Sequence, residues 1–305
     1  MINSCNEWDR LEKIVVGSAT NANWPTDDPV FAEEKHKTTW TETPVPSGAV
    51  PDWIIEEANE DLESLADTLT KLGVEVLRPG DMDFVAQGGM YNYCPRDRLL
   101  VYGSTVVDTA MMYPCRDMEV RALDFVVTNA DTVLTMPRDR GMILDAANLL
   151  RLGDSLLFLE SASGNRLAYD WLRENLTENI ELCNFYSGVH IDSTIVALRE
   201  GLVLLNASRV NEETCPRVFR DWERIYVEDV VAQGFYQYPY ASKWIAMNML
   251  SVDPTTVICD RHQTELIRLL EKRQFTVIPL ELRHSRTLGG GFHCVTLDLV
   301  RNHNK

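Results

Sequence analysis

Short apolar runs come in pairs along this chain, and a turn separates the two runs of each pair. The four clearest pairs lie about fifty residues apart, at 98–110, 148–160, 193–206 and 246–260. Their turns fall near Gly103, Gly153, Gly201 and Asp253. Apolar runs on both sides of such turn residues predict β-hairpins. The chain is therefore expected to contain one hairpin in each copy of a repeated unit.

Helical periodicity separates the hairpins, and one more strand follows each helical stretch. The stretches in which apolar residues recur every three or four positions are PDWIIEEANEDLESLADTLTKLG, RLAYDWLRENL and QTELIRLLEKRQ. The strands after them are VEVLRP, IELCNFY and FTVIPLEL. The repeated unit therefore reads hairpin, helix, strand, or ββαβ.

A fifth unit is divided between the two ends of the sequence. The strand CVTLDLV follows the last regular repeat, and the first strand, LEKIVVGSA at 11–19, also lacks a hairpin partner. Pairing of these N- and C-terminal strands would close five units into a ring and remove exposed sheet edges. The pattern predicts an α/β fold in one domain over 1–305. The stretch 21–51, rich in Pro, Thr and acidic residues, is predicted to be an ordered loop over one face.

Composition and charge narrow the class of protein. The chain has 305 residues, 45% hydrophobic and 25% charged, as is typical of soluble globular proteins. A formal net charge of −17 makes nucleic acid and anionic membranes poor partners and would attract a small cationic substrate. The sequence shows no basic leader with an apolar core and no apolar run of about eighteen residues, which predicts a cytoplasmic protein.

Polar side chains precede the first strand of each predicted hairpin. These residues are Asp97, Asp145, His190, Asp192, Ser242 and, in the fifth unit, Cys294. Equivalent positions in a ring of repeats meet at one axial end, so we expect these side chains to share one site. Together they form a set of residues suited to catalysis, although each has an ordinary structural explanation when taken alone.

Those structural explanations differ from residue to residue. Asp97 and Asp145 are typical of turns, and His190 could be a hydrogen-bonded histidine at a strand edge. Cys294 taken alone is typical of a small buried apolar residue. The three glycines at 289–291 favour a site, because glycine allows the backbone to approach a ligand closely.

The residue types point to covalent chemistry on a guanidinium. A thiol near a histidine can attack an electrophilic carbon while the histidine, oriented by a carboxylate, transfers protons. Two aspartates can hold a planar guanidinium through paired charge-assisted hydrogen bonds. The seven cysteines are dispersed without C-x-x-C spacing, which supports neither a disulfide framework nor a zinc ribbon. The residues thus indicate attack by Cys294 on a guanidinium carbon, without metal or cofactor.

Motifs around these residues resemble those of the amidinotransferases that use L-arginine, such as glycine amidinotransferase and its relatives in guanidino natural-product pathways. The motifs span nearly the whole chain: NEWDRLEKIVVGSA, PRD, DAAN, HID, SKWIAMNML and LGGGFHCVTLD. The resemblance implies the five-bladed, pseudo-symmetric α/β propeller of the guanidino-modifying (pentein) superfamily. It also implies a homodimer.

The resemblance implies a role for each matched residue near the reacting carbon. Cys294 is implied to be the nucleophile and His190 the general acid and base, with Asp145 as the partner of that histidine. Asp97 and Asp192 are implied to hold the guanidinium.

Other matched positions concern the far ends of the two substrates. Arg209 falls where the family binds the donor's α-carboxylate, although it could equally be a solvated turn residue, and Ser242 falls near the same end. Glycine-using relatives carry Asn and Met where this chain has Ser187 and Val189, and a common DAAD motif is DAAN here, with Asn148. Smaller side chains leave more room, so we expect a primary amine acceptor bulkier than glycine.

The combined hypothesis is an L-arginine:amine amidinotransferase with ping-pong kinetics, in which L-ornithine leaves before the acceptor amine binds. A deiminase of the arginine or agmatine type stays open, because it resolves the same intermediate with water and uses the same catalytic residue types. The motifs DAAN and SKW favour a transferase. A catalytically silent propeller that binds arginine is a further alternative.

Overall fold

Six β-sheets organise the computed structural model, which describes residues 2–37 and 45–302. Five of these sheets have three strands and one has two. The strands are β1 (Arg10–Val16), β2 (Asn23–Trp24), β3 (Gly48–Ala49), β4 (Glu75–Leu77), β5 (Leu99–Tyr102), β6 (Thr105–Asp108), β7 (Thr132–Thr135), β8 (Leu149–Arg151), β9 (Ser155–Leu159), β10 (Asn179–Cys183), β11 (Ile195–Arg199), β12 (Leu202–Asn206), β13 (Glu223–Val227), β14 (Leu250–Asp253), β15 (Thr256–Asp260), β16 (Thr276–Leu280) and β17 (Thr296–Asn302).

Four of the three-stranded sheets repeat one order of strands. In each, an antiparallel hairpin is followed by a third strand parallel to the second: β5-β6-β7, β8-β9-β10, β11-β12-β13 and β14-β15-β16. The four predicted hairpins are therefore confirmed. Three of their turns contain glycine with positive φ, at Gly103 (57°), Gly153 (82°) and Gly201 (79°), a conformation that side chains disfavour.

The fifth three-stranded sheet joins the two ends of the chain. Strand β1 pairs antiparallel with β17, with Ile14 opposite Asp298 and Val15 opposite Leu297, and pairs parallel with β4. The predicted pairing of the terminal strands is therefore confirmed. The sheets of the described residues are open, with two or three strands each. The arrangement of the five units as blades around one axis stays a prediction.

Helices connect the strands within and between these sheets. The α-helices are α1 (Pro29–Lys37), α2 (Asp52–Lys71), α3 (Phe84–Gln87), α4 (Pro95–Arg98), α5 (Asp124–Thr128), α6 (Arg166–Asn175), α7 (Thr264–Glu271) and α8 (Ser285–Leu288). Four 3-10 helices lie at Pro114–Leu123, Ala146–Asn148, Arg217–Phe219 and Lys243–Met247. None of the helices in the described part is long and apolar enough to cross a membrane.

Helix α2 shows how the sequence pattern fixes the packing. Its buried residues Ile54, Ala58, Leu62, Leu65 and Leu69 recur every three or four positions and form one apolar face. This face belongs to the same hydrophobic core as residues of β1, and the helix contacts both β1 and β4. Burial of this face therefore holds the helix against the sheet that joins the chain ends.

A buried ionic network fixes strand β17, which follows Cys294 in the chain. Asp298 accepts hydrogen bonds from Arg96 and Arg151 at 2.6 Å and from Arg301 at 2.7 Å. Arg151 also pairs with Glu7 near the start of the chain. Burial would raise the pKa of Asp298, but the surrounding guanidinium groups hold it well below its usual range. Losing one partner of such a buried pair typically costs about 3–5 kcal/mol, so this network anchors the strand after Cys294.

The stretch 21–51 is more regular than predicted. Within its described part it contains β2, α1 and β3, so the prediction of a loop over its whole length is wrong; residues 38–44 lie outside the described residues. Asp28 accepts hydrogen bonds from the backbone N–H groups of Val30 (2.9 Å) and Phe31 (3.1 Å). This is the geometry of a helix N-cap, followed by proline at the first helical position.

Candidate active site

One cavity of about 330 Å³ collects nine of the ten residues that the sequence indicates as a site. Its wall includes Asp97, Asp145, Ser187, Val189, His190, Asp192, Arg209, Ser242 and Cys294. The repeat explains their meeting, because most of them lie just before the first strand of a hairpin. Asp97 is in α4, immediately before β5, and Cys294 precedes β17. Their roles stay a prediction at this point.

Asn148 is the one residue of the predicted set that lies off the cavity wall. Its side chain is fully buried, and its Nδ2 donates to Ser163 Oγ at 2.9 Å. Ser163 Oγ accepts in turn from the backbone N–H of His190 at 3.3 Å. The structure therefore gives no support to direct contact between Asn148 and a substrate, because its amide is used inside the protein to hold the segment of His190.

Asp97 and Asp192 each keep one carboxylate oxygen without a hydrogen-bond partner. In the described part of the chain, Oδ1 of both residues is buried and accepts no hydrogen bond, and both residues line the cavity. Buried polar atoms are nearly always paired in folded proteins, and exceptions tend to mark functional positions. The two oxygens are therefore available to a ligand that donates hydrogen bonds.

Asp97 is held in place through its other oxygen. Its Oδ2 accepts from Arg116 Nη1 at 2.9 Å, and Arg116 Nε donates to Glu119 Oε1 at 2.9 Å. Burial raises the pKa of Asp97, while the charges of His190 and Arg116 oppose that shift. The carboxylate is thus fixed with one oxygen toward the protein and one toward the cavity.

Asp192 contacts both Cys294 and a second histidine, His293. Its Oδ2 lies 2.8 Å from His293 Nδ1 and accepts from Cys294 Sγ at 3.2 Å. His293 Nε2 lies 3.1 Å from Glu7 Oε2. Although burial would raise the pKa of Asp192, the hydrogen bond from His293 and the charges of His293 and His190 together outweigh it, so the pKa is lowered. Asp192 is therefore an anion that still has one oxygen free.

His190 lies between the two remaining carboxylates. Its Nε2 is 3.0 Å from Asp145 Oδ2, and its Nδ1 is 3.7 Å from Asp97 Oδ1. Asp145 is itself oriented by the backbone N–H of Met112, which donates to Oδ1 at 2.8 Å. The backbone φ of His190 is 53°, in the left-handed region that costs energy for a side chain with a Cβ. Burial lowers the pKa of His190, but Asp97 and the hydrogen bond to Asp145 outweigh it and raise the pKa to about 9.

Replacing Asp145 should lower the pKa of His190. In Asp145→Asn the histidine loses one of the three carboxylates that favour its charged form, so it should deprotonate at a lower pH than in the wild-type protein. Proton titration of the His190 ring followed by NMR measures this directly. Asp260→Asn, which removes a buried carboxylate off the cavity wall, is the control and should leave the titration in place. A wild-type His190 that titrates near pH 6.5 would contradict the geometry described above.

Cys294 is neutral in this arrangement. The residue is only 2% exposed, and burial raises the pKa of its thiol well above the ordinary value, with a further contribution from the charge of Asp192. Its backbone N–H and that of His293 both donate to Asn248 Oδ1 at 2.9 Å. The thiol can become a thiolate only when positive charge enters the cavity and offsets the surrounding carboxylates.

The three glycines before Cys294 serve mainly packing within the protein. A Cβ on Gly290 would lie 2.5 Å from the sulfur of Cys94, and one on Gly291 would lie 2.6 Å from Cβ of Asn248. Gly289 alone lines the cavity, and its φ of 82° caps helix α8. The interpretation that the three glycines favour a site fits Gly289, whereas Gly290 and Gly291 are needed where the backbone meets neighbouring side chains.

The wall of the cavity also carries a guanidinium surrounded by neutral groups. Arg209 Nη1 donates to Thr194 Oγ1 at 2.7 Å, and Nη2 donates to Ser242 Oγ at 3.3 Å. The guanidinium lies over the ring of Tyr186, 4.0 Å from its centroid. Burial lowers the pKa of Arg209. The alternative of a solvated turn arginine does not fit this position, which suits an anionic group of a ligand.

Aromatic residues of the segment 21–37 pack against the same cavity. Trp24 stacks on Tyr240 with ring centroids 6.1 Å apart, and Phe31 meets Tyr113 edge-on at 5.2 Å. Tyr113 and Tyr240 line the cavity. The segment predicted to be a loop thus supports one side of the site.

Three residues of the site were not indicated by the sequence. Arg116 orients Asp97, His293 pairs with Asp192, and Asn248 accepts from the backbone of the cysteine segment. His293 and Asn248 both stand within the motifs of the sequence, directly before Cys294 in LGGGFHCVTLD and inside SKWIAMNML, whereas Arg116 lies in none of them. A neutral amide and an arginine outside the motifs do not indicate catalysis, so pattern alone does not identify Asn248 or Arg116.

The site as a whole can bind a planar cation and attack it. Two free carboxylate oxygens, a thiol hydrogen-bonded to one of the aspartates, and a protonated histidine line the same cavity. Within residues 2–37 and 45–302, no group of three or more His, Cys, Asp or Glu residues is arranged to hold a metal ion.

Comparison with known proteins gives close relatives over the full length. No family model matches the chain. Inosamine-phosphate amidinotransferase 1 of Streptomyces griseus is 43% identical over 97% of this chain and 96% of the relative. At 27% identity and 98% of this chain, the relatives include L-arginine:L-lysine amidinotransferase of Pseudomonas savastanoi pv. phaseolicola and mitochondrial glycine amidinotransferase of Xenopus tropicalis, with 94% and 82% of those proteins covered.

Solved structures agree with these relatives. The inosamine-phosphate amidinotransferase of Streptomyces griseus superposes with a TM-score of 0.93 at 41% identity, covering 99% of this chain and 97% of that one. An amidinotransferase of the saxitoxin biosynthetic pathway from Microseira wollei gives a TM-score of 0.87 at 25% identity, covering 99% and 98%.

Proposed function

Because the chain belongs to the amidinotransferase family, we propose that it moves the amidino group of L-arginine, through a covalent amidino-Cys294, to a primary amine and releases L-ornithine. One observation carries the proposal: the free oxygens of Asp97 and Asp192 line the same cavity as a thiol, which lies 3.2 Å from Asp192 Oδ2. A guanidinium presents planar pairs of N–H donors that match two such oxygens.

In the first half-reaction the arginine guanidinium lies between Asp97 and Asp192. Its charge offsets the carboxylates and lowers the pKa of Cys294, so that the thiol proton leaves to solvent. The thiolate attacks the central guanidinium carbon, and the bond from that carbon to the ornithine nitrogen breaks. The protonated His190 gives its proton to that nitrogen. The products are amidino-cysteine, neutral His190 and ornithine.

In the second half-reaction an acceptor amine takes the place of ornithine. Its nitrogen attacks the amidino carbon, loses a proton to neutral His190, and the bond from carbon to Cys294 sulfur breaks. Thiolate and protonated histidine are thereby restored. When the cationic guanidino product leaves, the thiolate takes a proton back from solvent, so the protons balance over the cycle. The scheme needs no cofactor. Because ornithine leaves before the acceptor binds, the kinetics are ping-pong.

The acceptor class follows from the wall of the cavity and from the relatives. Ser187 and Val189 line the cavity where glycine-using relatives carry larger Asn and Met side chains. The relatives at 43% and 41% identity are named for inosamine phosphate, an amine on a phosphorylated ring, whereas those named for glycine and lysine stand at 27%. We therefore propose an aminocyclitol phosphate as the acceptor of this chain.

The proposal includes a single-domain architecture of five blades. Its support is the same strand order in four sheets and the pairing of β1 with β17 in the fifth. The homodimer implied by the resemblance stays a prediction.

Incubation of the protein with L-arginine alone tests the function. A transferase should release about one ornithine per active site and then stop, and inosamine phosphate should restart the release. Steady formation of citrulline and ammonia would identify a deiminase, which the relatives do not favour. Binding of arginine with no ornithine released would identify a silent binder.

A further inference from the structure

A groove adjoins the catalytic cavity and carries an excess of positive charge. Its wall includes Arg209, Lys243 and Arg286, and no Asp or Glu among the described residues. It shares the wall residues Tyr186, Arg209 and Ser242 with the catalytic cavity, so the two spaces are adjacent. Three basic residues on one wall are unusual in a chain with a net charge of −17. Their grouping beside the site favours the binding of an anion there.

Arg286 is oriented toward this role by the backbone. Its Nε donates to the carbonyl oxygen of Ala241 at 3.2 Å, and its Nη1 donates to that of Gln233 at 2.8 Å. The guanidinium lies over the ring of Phe235, 4.7 Å from the centroid. These contacts fix the plane of the guanidinium while leaving Nη2 without a hydrogen bond among the described residues.

The charges of the two arginines are not compensated locally. Within the described part of the chain, neither Arg209 nor Arg286 has a carboxylate within ion-pair distance, whereas Lys243 pairs with Asp229. Arg209 is bound by hydroxyl groups, and Arg286 by carbonyl groups. Each is therefore a half-buried guanidinium whose charge is not paired within the described part of the chain. The forked N–H donors of a guanidinium match the oxygens of a phosphate.

We infer that this groove binds the phosphate group of the acceptor, with Arg286 specific to the acceptor and Arg209 used by both substrates in turn. The inference rests on the proposed amidino transfer, because ping-pong order lets the acceptor's phosphate occupy the place near Arg209 that the donor's carboxylate has left. Arg286 lines the groove but not the catalytic cavity, toward which it donates a hydrogen bond to the carbonyl oxygen of Ala241. It therefore distinguishes a phosphorylated acceptor from an unphosphorylated one.

The test compares inosamine phosphate with unphosphorylated inosamine as acceptors. In Arg286→Gln, kcat/KM for inosamine phosphate should fall at least about tenfold, because a charge-assisted phosphate contact is lost, while that for inosamine should change less than about twofold. Arg286→Lys keeps the charge and should recover part of the loss. Arg199→Gln is the matched control, because Arg199 also lies over an aromatic ring, that of Phe275 at 4.6 Å, but outside the groove.

Ornithine released per active site from arginine alone reports the first half-reaction in every variant. If the wild-type protein releases none, the proposed function fails. If the wild-type release is normal but Arg286→Gln loses both acceptors equally, or neither, the phosphate subsite is overturned. Should Arg286→Gln give no ornithine because it does not fold, the same comparison made with Arg286→Lys decides between a selective loss and none.

Discussion

Cys294→Ala should lower the rate of amidino transfer from L-arginine by at least about 10⁴-fold, because removing the nucleophile of a covalent mechanism leaves only binding and electrostatic contributions. The cavity, its two free aspartate oxygens and His190 do not depend on the sulfur, so the variant should still bind arginine. Ornithine release in the presence of inosamine phosphate measures the rate, and calorimetry measures the binding.

Cys259→Ala is the matched control for this substitution. Cys259 is also fully buried, but it lies in β15 and does not line the cavity. Its loss should leave the rate of transfer within about twofold of the wild-type value. Retention of more than about one hundredth of the wild-type rate by Cys294→Ala would remove the sulfur from the mechanism.

Asp192→Asn should lower kcat/KM for L-arginine by about 10²–10⁴-fold. The same substitution should raise the rate at which Cys294 is alkylated. The loss follows from removing one of two buried charges opposite the guanidinium, which typically costs about 3–5 kcal/mol. The gain follows because the charge of Asp192 contributes to the raised pKa of the thiol, so its removal favours the thiolate. Alkylation of Cys294 by iodoacetamide at fixed pH measures the second effect.

Two further variants separate these effects. Asp97→Asn should lower kcat/KM for arginine by a similar factor, but it should raise the alkylation rate less, since the charge of Asp97 contributes less than that of Asp192 to the pKa of Cys294. Asp260→Asn, off the cavity wall, should change neither rate. An Asp192→Asn protein whose Cys294 reacts more slowly than in the wild type would refute the electrostatic account.

The repeat was predictable from the sequence because its signals are local. Apolar runs and turn glycines lie within a few residues of each other, and the positive φ at Gly103, Gly153 and Gly201 shows that the turns need glycine. The prediction of a loop over 21–51 is wrong because helix α1 depends on one cap at Asp28 and on contacts of Phe31 with the distant rings of Tyr113 and Tyr240. The chain also replaces an α-helix before β13 with the 3-10 helix Arg217–Phe219, which no periodicity indicated.

The sequence predicted those site residues that occupy equivalent positions in the repeated unit. Cys294, His190 and Asp97 were found in that way, since each precedes a first strand. Residues that act on these from elsewhere could not be found, because their contacts span long sequence separations. His293 meets a partner 101 residues away, and Asn248 binds the backbone of Cys294 across 46 residues.

The glycines before the cysteine show the limit of reading a motif in isolation. Gly290 and Gly291 are required by Cys94 and Asn248, which are far from them in sequence. A close approach between two parts of the protein and one between protein and ligand demand the same residue type, so the sequence could not separate the two causes.

The amidino group on Cys294 is measured most directly by mass spectrometry of the wild-type protein, quenched during incubation with L-arginine in the absence of an acceptor. We expect the peptide that contains Cys294 to gain the mass of one amidino group, in proportion to the ornithine released, and to lose it when inosamine phosphate is added. A protein that transfers the amidino group to the acceptor, but whose Cys294 peptide carries no adduct when transfer is stopped at the arginine stage, would contradict the mechanism.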